Sequence, residues 1–373
     1  MDLFNNARLT GDRWLMIKPW WICIRCRSHF YPLYKKGTIR PMYKILRPFL
    51  FLLPPETAHY FALNSLKLAH KIGFTKLMFP KLANKPKQVF GLTFKNPVGI
   101  AAGLDKNGDY IDCLASTGVG FIEVGAVTPI AQIGNPKPRL FRLPKAQAII
   151  NRMGFNNKGV DYLVENLKRR NTDCIVGVNL GKNKQTPNET AYNDYIICLE
   201  KVLPYADFAT VNISSPNTPG LRELQTPEYL SDLLTRVKTK RDELLKQHNK
   251  VFPLLVKIAP DLSAEEITEI HSIAQQVGYD GIIATNTTSS RANVKHLPHV
   301  NEQGGLSGKP VAEQSITVLK QLTAQPNHLP IISVGGIDSV TEANKRFDHE
   351  AALIQIYSGL IYHGLRLLRH LSN

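Results

Sequence analysis

The chain has 373 residues, 43% hydrophobic and 20% charged, with a formal net charge of +16. That composition allows a large core and excludes a largely disordered protein, while the basic balance points to an anionic partner without choosing its kind. No run of about 18 uncharged apolar residues occurs, so no segment reads as a bilayer-spanning helix.

The five cysteines, Cys23, Cys26, Cys113, Cys174 and Cys198, form no disulfide framework and fit a reducing compartment. Cys23 and Cys26 make a lone CxxC with only His29 nearby, so the pair reads as incidental thiols and no metal site is expected.

Residues 1–41 stand apart from the rest. They hold all three tryptophans, Trp14, Trp20 and Trp21, and eight basic residues against two acids. The plainer reading is a poorly ordered leader, or an extension upstream of a start at Met42. The other is a basic aromatic tail at a membrane interface. From Met42 to Leu53 runs a short, very apolar helical segment. Pro54-Pro55-Glu56 then signals a second helix start, and Ala58, Phe61, Ala62, Leu66 and Ala69 recur at helical steps to about Ile72. Residues 42–85 are therefore taken as a helical extension preceding the main domain at 86–373.

Within that domain short apolar runs recur, each followed by a polar turn. They are Val98–Ala102, Phe121–Gly125, Cys174–Leu180, Phe208–Ile213, Leu254–Ile258, Gly281–Thr285, Ile331–Gly335 and Ala352–Tyr357. Continuous apolar runs suit parallel strands buried on both faces. Eight of them, separated by helical patterns such as Ala264–Val277 and Val311–Leu322, predict an α/β fold, a (β/α)8 TIM barrel. The long gap between Ala126 and Asp173 is assigned extra loop structure.

Barrel active sites lie at the C-terminal ends of the strands, and here those ends carry unusual polar groups. Lys106 follows the first strand, Asn179 ends the third, and Asn212, Ser215, Asn217 and Thr218 follow the fourth. Lys257 lies on the fifth, Thr285, Asn286 and Thr287 follow the sixth, and Gly335-Gly336 and Tyr357-Ser358-Gly359 follow the last two. Converging amides offer donors and acceptors to a planar ligand with alternating N–H and C=O groups. The glycine pair stands where barrels hold a phosphate on backbone N–H groups. Lys106 and Lys257, pointing into an apolar site, call for an anionic ligand or, on the plainer reading, structural salt bridges.

Residues 42–373 resemble the quinone-linked (class 2) dihydroorotate dehydrogenases. The matching blocks include GLTFKNPVGIAAGLDKNG (91–108), KPRLFRL (137–143), NRMGFNN (151–157), NLGKNK (179–184), NISSPNTPGLR (212–222), VKIAPDLS (256–263), ATNTT (284–288), GGLSGKP (304–310), VGGIDS (334–339) and QIYSG (355–359). The resemblance implies FMN held by its phosphate at Gly308, Gly336, Tyr357 and Ser358, with its ring near Ala102, Gly103, Ala126, Asn179, Asn212, Lys257 and Thr285. It implies dihydroorotate, or its product orotate, gripped by Lys106, Asn151, Asn212, Asn217, Asn286 and Thr287, with the Arg152-Met153-Gly154-Phe155 loop closing beside it. Ser215 takes the position of the catalytic base, assisted by Thr218 and Phe155. A serine also separates the chain from the soluble class, which carries cysteine there. The extension at 42–72 implies a tunnel for a membrane quinone contacted by His59, Arg142 and Tyr357. An anionic lipid surface is the implied support, with the protein peripheral on the cytoplasmic side of the cell inner membrane and no nucleic acid as partner.

Three positions depart from the family pattern: Ala126 replaces a common hydroxyl residue, Glu350 a common glycine, and Leu365 a common proline. If the turn at Glu350 needs positive φ, a glutamate strains it. The rival readings are a soluble dihydroorotate dehydrogenase, a tRNA dihydrouridine synthase and a non-enzymatic basic barrel. The second is expected to carry a catalytic cysteine and a helical domain after the barrel; the third leaves the ring of asparagines unexplained.

Overall fold

The computed structural model describes residues 40–79 and 85–372. The chain divides into two compact units, residues 1–46 and 47–373. The tryptophan-rich leader with its CxxC lies outside the described residues, up to the point where helix α1 (Arg40–Leu52) begins. Helices α2 (Pro55–Lys71) and α3 (Thr75–Met78) follow. Pro55 sits in the first turn of α2 and Glu56 complements its positive end, while His70 and Lys71 occupy the last turn.

Strands β1 (Lys87–Val89) and β2 (Leu92–Phe94) form an antiparallel hairpin. Then come β3 (Val98–Ile100), α4 (Ile111–Ala115), β4 (Phe121–Val127), β5 (Leu140–Leu143), β6 (Ala148–Asn151) and α5 (Val160–Arg169). The chain continues through β7 (Ile175–Leu180), α6 (Ala191–Val202), β8 (Phe208–Asn212), α7 (Pro227–Leu245), β9 (Leu254–Ile258) and α8 (Ala264–Val277). The last part holds β10 (Gly281–Ala284), β11 (Gly305–Gly308), α9 (Ala312–Thr323), β12 (Ile331–Val334), α10 (Val340–Asp348), β13 (Leu353–Ile356), α11 (Ser358–His363) and α12 (Arg366–Ser372).

Strands β3, β4, β7, β8, β9, β10, β12 and β13 close into a parallel barrel in that order. These are the eight expected runs. Most stop one or two residues short of the apolar run, because those last residues already turn into the mouth loops; β4 instead runs on to Val127. The assignment of loop structure between Ala126 and Asp173 is corrected: that stretch holds β5, β6 and α5. Strands β5, β6 and β11 form a separate antiparallel sheet, in which β6 pairs with β11 through Asn151↔Gly305 and Ala148↔Gly308. Strands of only four residues are too short to leave a periodicity to read, and the partner of β6 on its other side lies about 150 residues away.

The barrel interior is stratified. At the lower end Phe94, Phe121 and Phe208 pack edge to face, with ring centroids 5.3 and 6.3 Å apart. Glycines make room for them, since a Cβ on Gly99 would lie 2.4 Å from the Phe121 ring and one on Gly177 2.0 Å from that of Phe208. Above this apolar plug lie Glu123, Lys257 and Gln355, all buried.

In the larger unit, Leu63 and Leu66 of α2 join the main core. Phe49, Leu52, Phe61, Leu68 and Ile72 remain between 56% and 82% exposed. No helix among the described residues is long and apolar enough to cross a membrane.

Glu350 has φ +61, in the turn between α10 and β13. Among the described residues its carboxylate reaches only His328 Nε2, at 3.3 Å on the surface. A left-handed glutamate with little packing in return is strained. Glu350→Gly is expected to stabilise the fold by about 1 kcal/mol and raise the melting temperature by about 1–2 °C, read by thermal denaturation.

Candidate active site

The mouth of the barrel forms one cavity, walled by the strand ends and by the β5–β6–β11 sheet. Asn179 ends β7 and Asn212 ends β8, and the two amides meet: Asn212 Nδ2 donates to Asn179 Oδ1 at 2.7 Å. Asn212 Oδ1 accepts from the Ser214 N–H and hydroxyl at 3.2 and 3.0 Å. Asn286 Nδ2 donates to Ser214 Oγ at 2.9 Å, and Asn217 Nδ2 donates to Asn151 Oδ1 at 3.0 Å. The amides thus hold each other in place before any ligand arrives. Two polar atoms on this wall, Asn217 Oδ1 and Thr287 Oγ1, are buried with no partner among the described residues.

Beneath them Glu123 anchors the floor. Its Oε1 accepts from Asn179 Nδ2 at 2.7 Å, and its Oε2 accepts from Gln355 Nε2 at 2.9 Å and lies 3.5 Å from Lys257 Nζ. Burial alone would lift this carboxyl, but the Lys257 charge and the amide hydrogen bonds outweigh it and hold Glu123 below the usual carboxylate range. Lys257 therefore has an internal counter-ion, as the salt-bridge reading allowed, while still facing the cavity.

Ala102, Gly103, Lys106, Ala126, Asn151, Met153, Gly154, Phe155, Asn179, Asn212, Ser215, Asn217, Lys257, Thr285, Asn286, Thr287, Gly308, Gly336, Tyr357 and Ser358 all line this cavity. Lys106 donates to the Gly103 carbonyl at 3.0 Å. Burial is the main cause that lowers its pKa, to about 8, so it remains a cation at neutral pH. Ser215 Oγ accepts from the Asn217 N–H at 3.2 Å.

Four candidates do not reach the cavity wall. Arg152 turns away to Glu302 at 2.6 Å and lies over the Phe141 ring. Thr218 is buried behind Ser215. Arg142 binds the Leu50 and Leu53 carbonyls at the end of α1 and stacks on Phe51, 4.5 Å from the ring centroid. His59 is lowered to about 3, first by burial and then by the Lys106 charge, and is neutral. His59 nevertheless feels the charge of the cavity-lining Lys106, and Arg142 holds the Leu50 and Leu53 carbonyls in the same unit.

Two residues of this arrangement escaped the sequence reading. Glu123 was absorbed into an apolar strand, although an acid in a strand buried on both faces demands a partner. Arg222 donates to the Ser214 and Thr287 carbonyls at 3.2 and 2.8 Å and pairs with Asp261 at 2.7 Å, tying the Ser215 loop to the Thr287 loop. Nothing local marks Arg222, because two of its targets, Thr287 and Asp261, lie on other loops.

Fold and mouth together define a (β/α)8-barrel enzyme with a preorganised polar site over a buried ion pair. A family model described as dihydroorotate dehydrogenase matches residues 86–373. The dihydroorotate dehydrogenase (quinone) of Coxiella burnetii strain Dugway 5J108-111 is 54% identical over 331 residues, covering 88% of this chain and 95% of the relative. That of Proteus mirabilis is 52% identical over 332 residues, covering 89% and 99%. The crystal structure of DHODH from Eimeria tenella in complex with ferulenol has a TM-score of 0.77 at 36% identity, covering 85% of this chain and 89% of that one. The chain belongs to the dihydroorotate dehydrogenase family, and with it to the flavin-dependent oxidoreductases.

The buried pair is expected to behave as a unit. Glu123→Leu and Lys257→Met should each destabilise the protein by about 3–5 kcal/mol, because each strands the other charge. The double substitution should cost clearly less than their sum, as measured by denaturant unfolding in a double-mutant cycle.

Proposed function

We propose that the chain is a dihydroorotate:quinone oxidoreductase, which converts (S)-dihydroorotate to orotate in pyrimidine synthesis with FMN as its flavin and a membrane quinone as its acceptor. The observation that carries this reading is the pair of buried atoms without a partner among the described residues, Asn217 Oδ1 and Thr287 Oγ1, in the cavity that Ser215 and Lys106 also line. An amide oxygen can accept from a ring N–H and a hydroxyl can serve a ring carbonyl, while Lys106 suits a carboxylate.

The residues also fit FMN. Gly308, Gly335 and Gly336, with φ +96, +128 and +73, bring bare backbone to one end of the cavity. A Cβ on Gly336 would fall 2.6 Å from Ala312 Cα, so that turn admits no side chain. Ser307 Oγ and Ser358 Oγ lie 2.9 Å apart at the same end and complete a cradle suited to a phosphate. Ala102, Gly103, Asn179, Lys257 and Thr285 would face the ring. Bound there, FMN supplies the two-electron acceptor for the hydride leaving C6 of the substrate.

Ser215 Oγ receives the C5 proton. The Asn217 N–H orients it, and buried Thr218 with Phe155 lies on the proton's way out. Lys257, held in a dry floor by Glu123, stabilises negative charge developing above it. Met153 and Gly154 complete the wall next to Asn151.

The apolar side chains left exposed on α2 and on the 47–52 turn of α1 suit the surface of a bilayer, and the net charge of +16 favours anionic lipid. Such a face supports peripheral attachment, which we assign to the cytoplasmic side of the inner membrane, with quinone entering past neutral His59, Arg142 and Tyr357.

Detergent-purified protein should reduce a quinone with dihydroorotate and fail to reduce fumarate or NAD. Turnover with fumarate or NAD instead would keep the substrate and overturn the acceptor. Ser215→Ala should retain the flavin and lower kcat by roughly 10²–10⁴-fold, measured by dihydroorotate-driven dye reduction.

A further inference from the structure

Arg346 on α10 is completely buried, and none of its hydrogen bonds goes to a carboxylate. Nη1 donates to Ser315 Oγ at 2.7 Å, and Nη2 donates to the Ala312 and Gly335 carbonyls at 3.0 and 2.9 Å. Its Nε has no partner among the described residues. The nearest carboxylate oxygen is Glu342 Oε2 at 4.0 Å, beyond hydrogen bonding, and Oε1 of the same group holds Lys345 at 2.7 Å. Burial lowers the guanidinium to about 10, which leaves it charged at neutral pH. A buried cation with so weak a counter-charge is expensive unless something else uses it.

The Gly335 carbonyl shows what that use is. It receives both Arg346 Nη2 and Ser315 Oγ, each at 2.9 Å. In a trans peptide the carbonyl and the following N–H point to opposite sides. With Gly335 O held back against the guanidinium, the Gly336 N–H points away from it, and both glycines line the cavity. A cation at the carbonyl end polarises the peptide and makes its N–H a better anion donor.

We propose that Arg346 is a positioning residue for the phosphate of the flavin, acting through the Gly335–Gly336 peptide without touching the ligand. The phosphate then adds to the weak counter-charge that Glu342 offers at 4.0 Å. This rests on the assignment of the Gly336 end of the cavity to the FMN phosphate.

The test compares FMN with riboflavin, which has the same ring and no phosphate. Both are titrated by fluorescence into full-length protein stripped of flavin. The wild type should prefer FMN; equal affinity for the two would overturn the phosphate assignment itself. Arg346→Met should weaken FMN by about tenfold or more and leave riboflavin within about threefold. Arg346→Lys, which keeps the charge, should restore most of the preference. Arg346→Gln keeps a donor for Gly335 O without the charge and should resemble Arg346→Met. Equal weakening of both flavins in the neutral variants would make Arg346 merely structural and overturn the proposal. If neither neutral variant folds, Ser315→Ala decides. It should cost FMN about threefold with riboflavin unchanged, and no selective loss would count against the idea.

Discussion

The buried contact between Glu123 and Lys257 sets the terms for the rest of the site. A lysine inside a barrel is tolerable only with a carboxylate near it, and that carboxylate then needs donors for its remaining lone pairs. Asn179 and Gln355 supply them from β7 and β13, so three strands besides the one carrying Glu123 are tied to one group. Asn179, committed on one side to Glu123, presents its oxygen to Asn212, and Asn212 in turn orients Ser214. The polarity of the mouth is thus propagated from the floor upward by hydrogen bonds of defined direction. The aromatic plug of Phe94, Phe121 and Phe208 keeps this polar layer away from the lower end of the barrel.

A second constraint acts from outside. The loops that carry Ser215 and Thr287 hold only short 3-10 turns, Leu221–Gln225 and Ala292–Val294, and an isolated bridge at Thr288, and Arg222 with Asp261 joins them. The β5–β6–β11 sheet adds a further wall, bringing Asn151 to Asn217 and setting Gly308 on the cavity that Gly335 and Gly336 also line. A site assembled this way pays its ordering cost during folding, which is how a ligand can meet fixed dipoles.

The helices before the barrel obey a different logic. Leu63 and Leu66 anchor α2 on the core, and Arg142 caps the carbonyls at the end of α1. Phe49, Leu52, Phe61, Leu68 and Ile72 are exposed and find no cover in the described residues of the larger unit. Such a face is costly in water and favourable at a lipid surface.

The sequence by itself determined the eight strands, the second helix of the extension and the family, because buried parallel strands and helix starts leave continuous, local signatures. It also marked most of the cavity-lining residues, since strand ends in a barrel converge on one mouth whatever the connections between them. Family likeness, more than periodicity, told Ser215 apart from any other loop serine. Only the tertiary structure revealed the β5–β6–β11 sheet, the turn of Arg152 toward Glu302, the partnership of Glu123 with Lys257, and the burial of Arg346 behind Gly335. Most of these depend on groups far apart in the chain, as in Glu123 with Lys257 and Arg152 with Glu302, and all on distance and burial in three dimensions, of which a one-dimensional pattern carries no record.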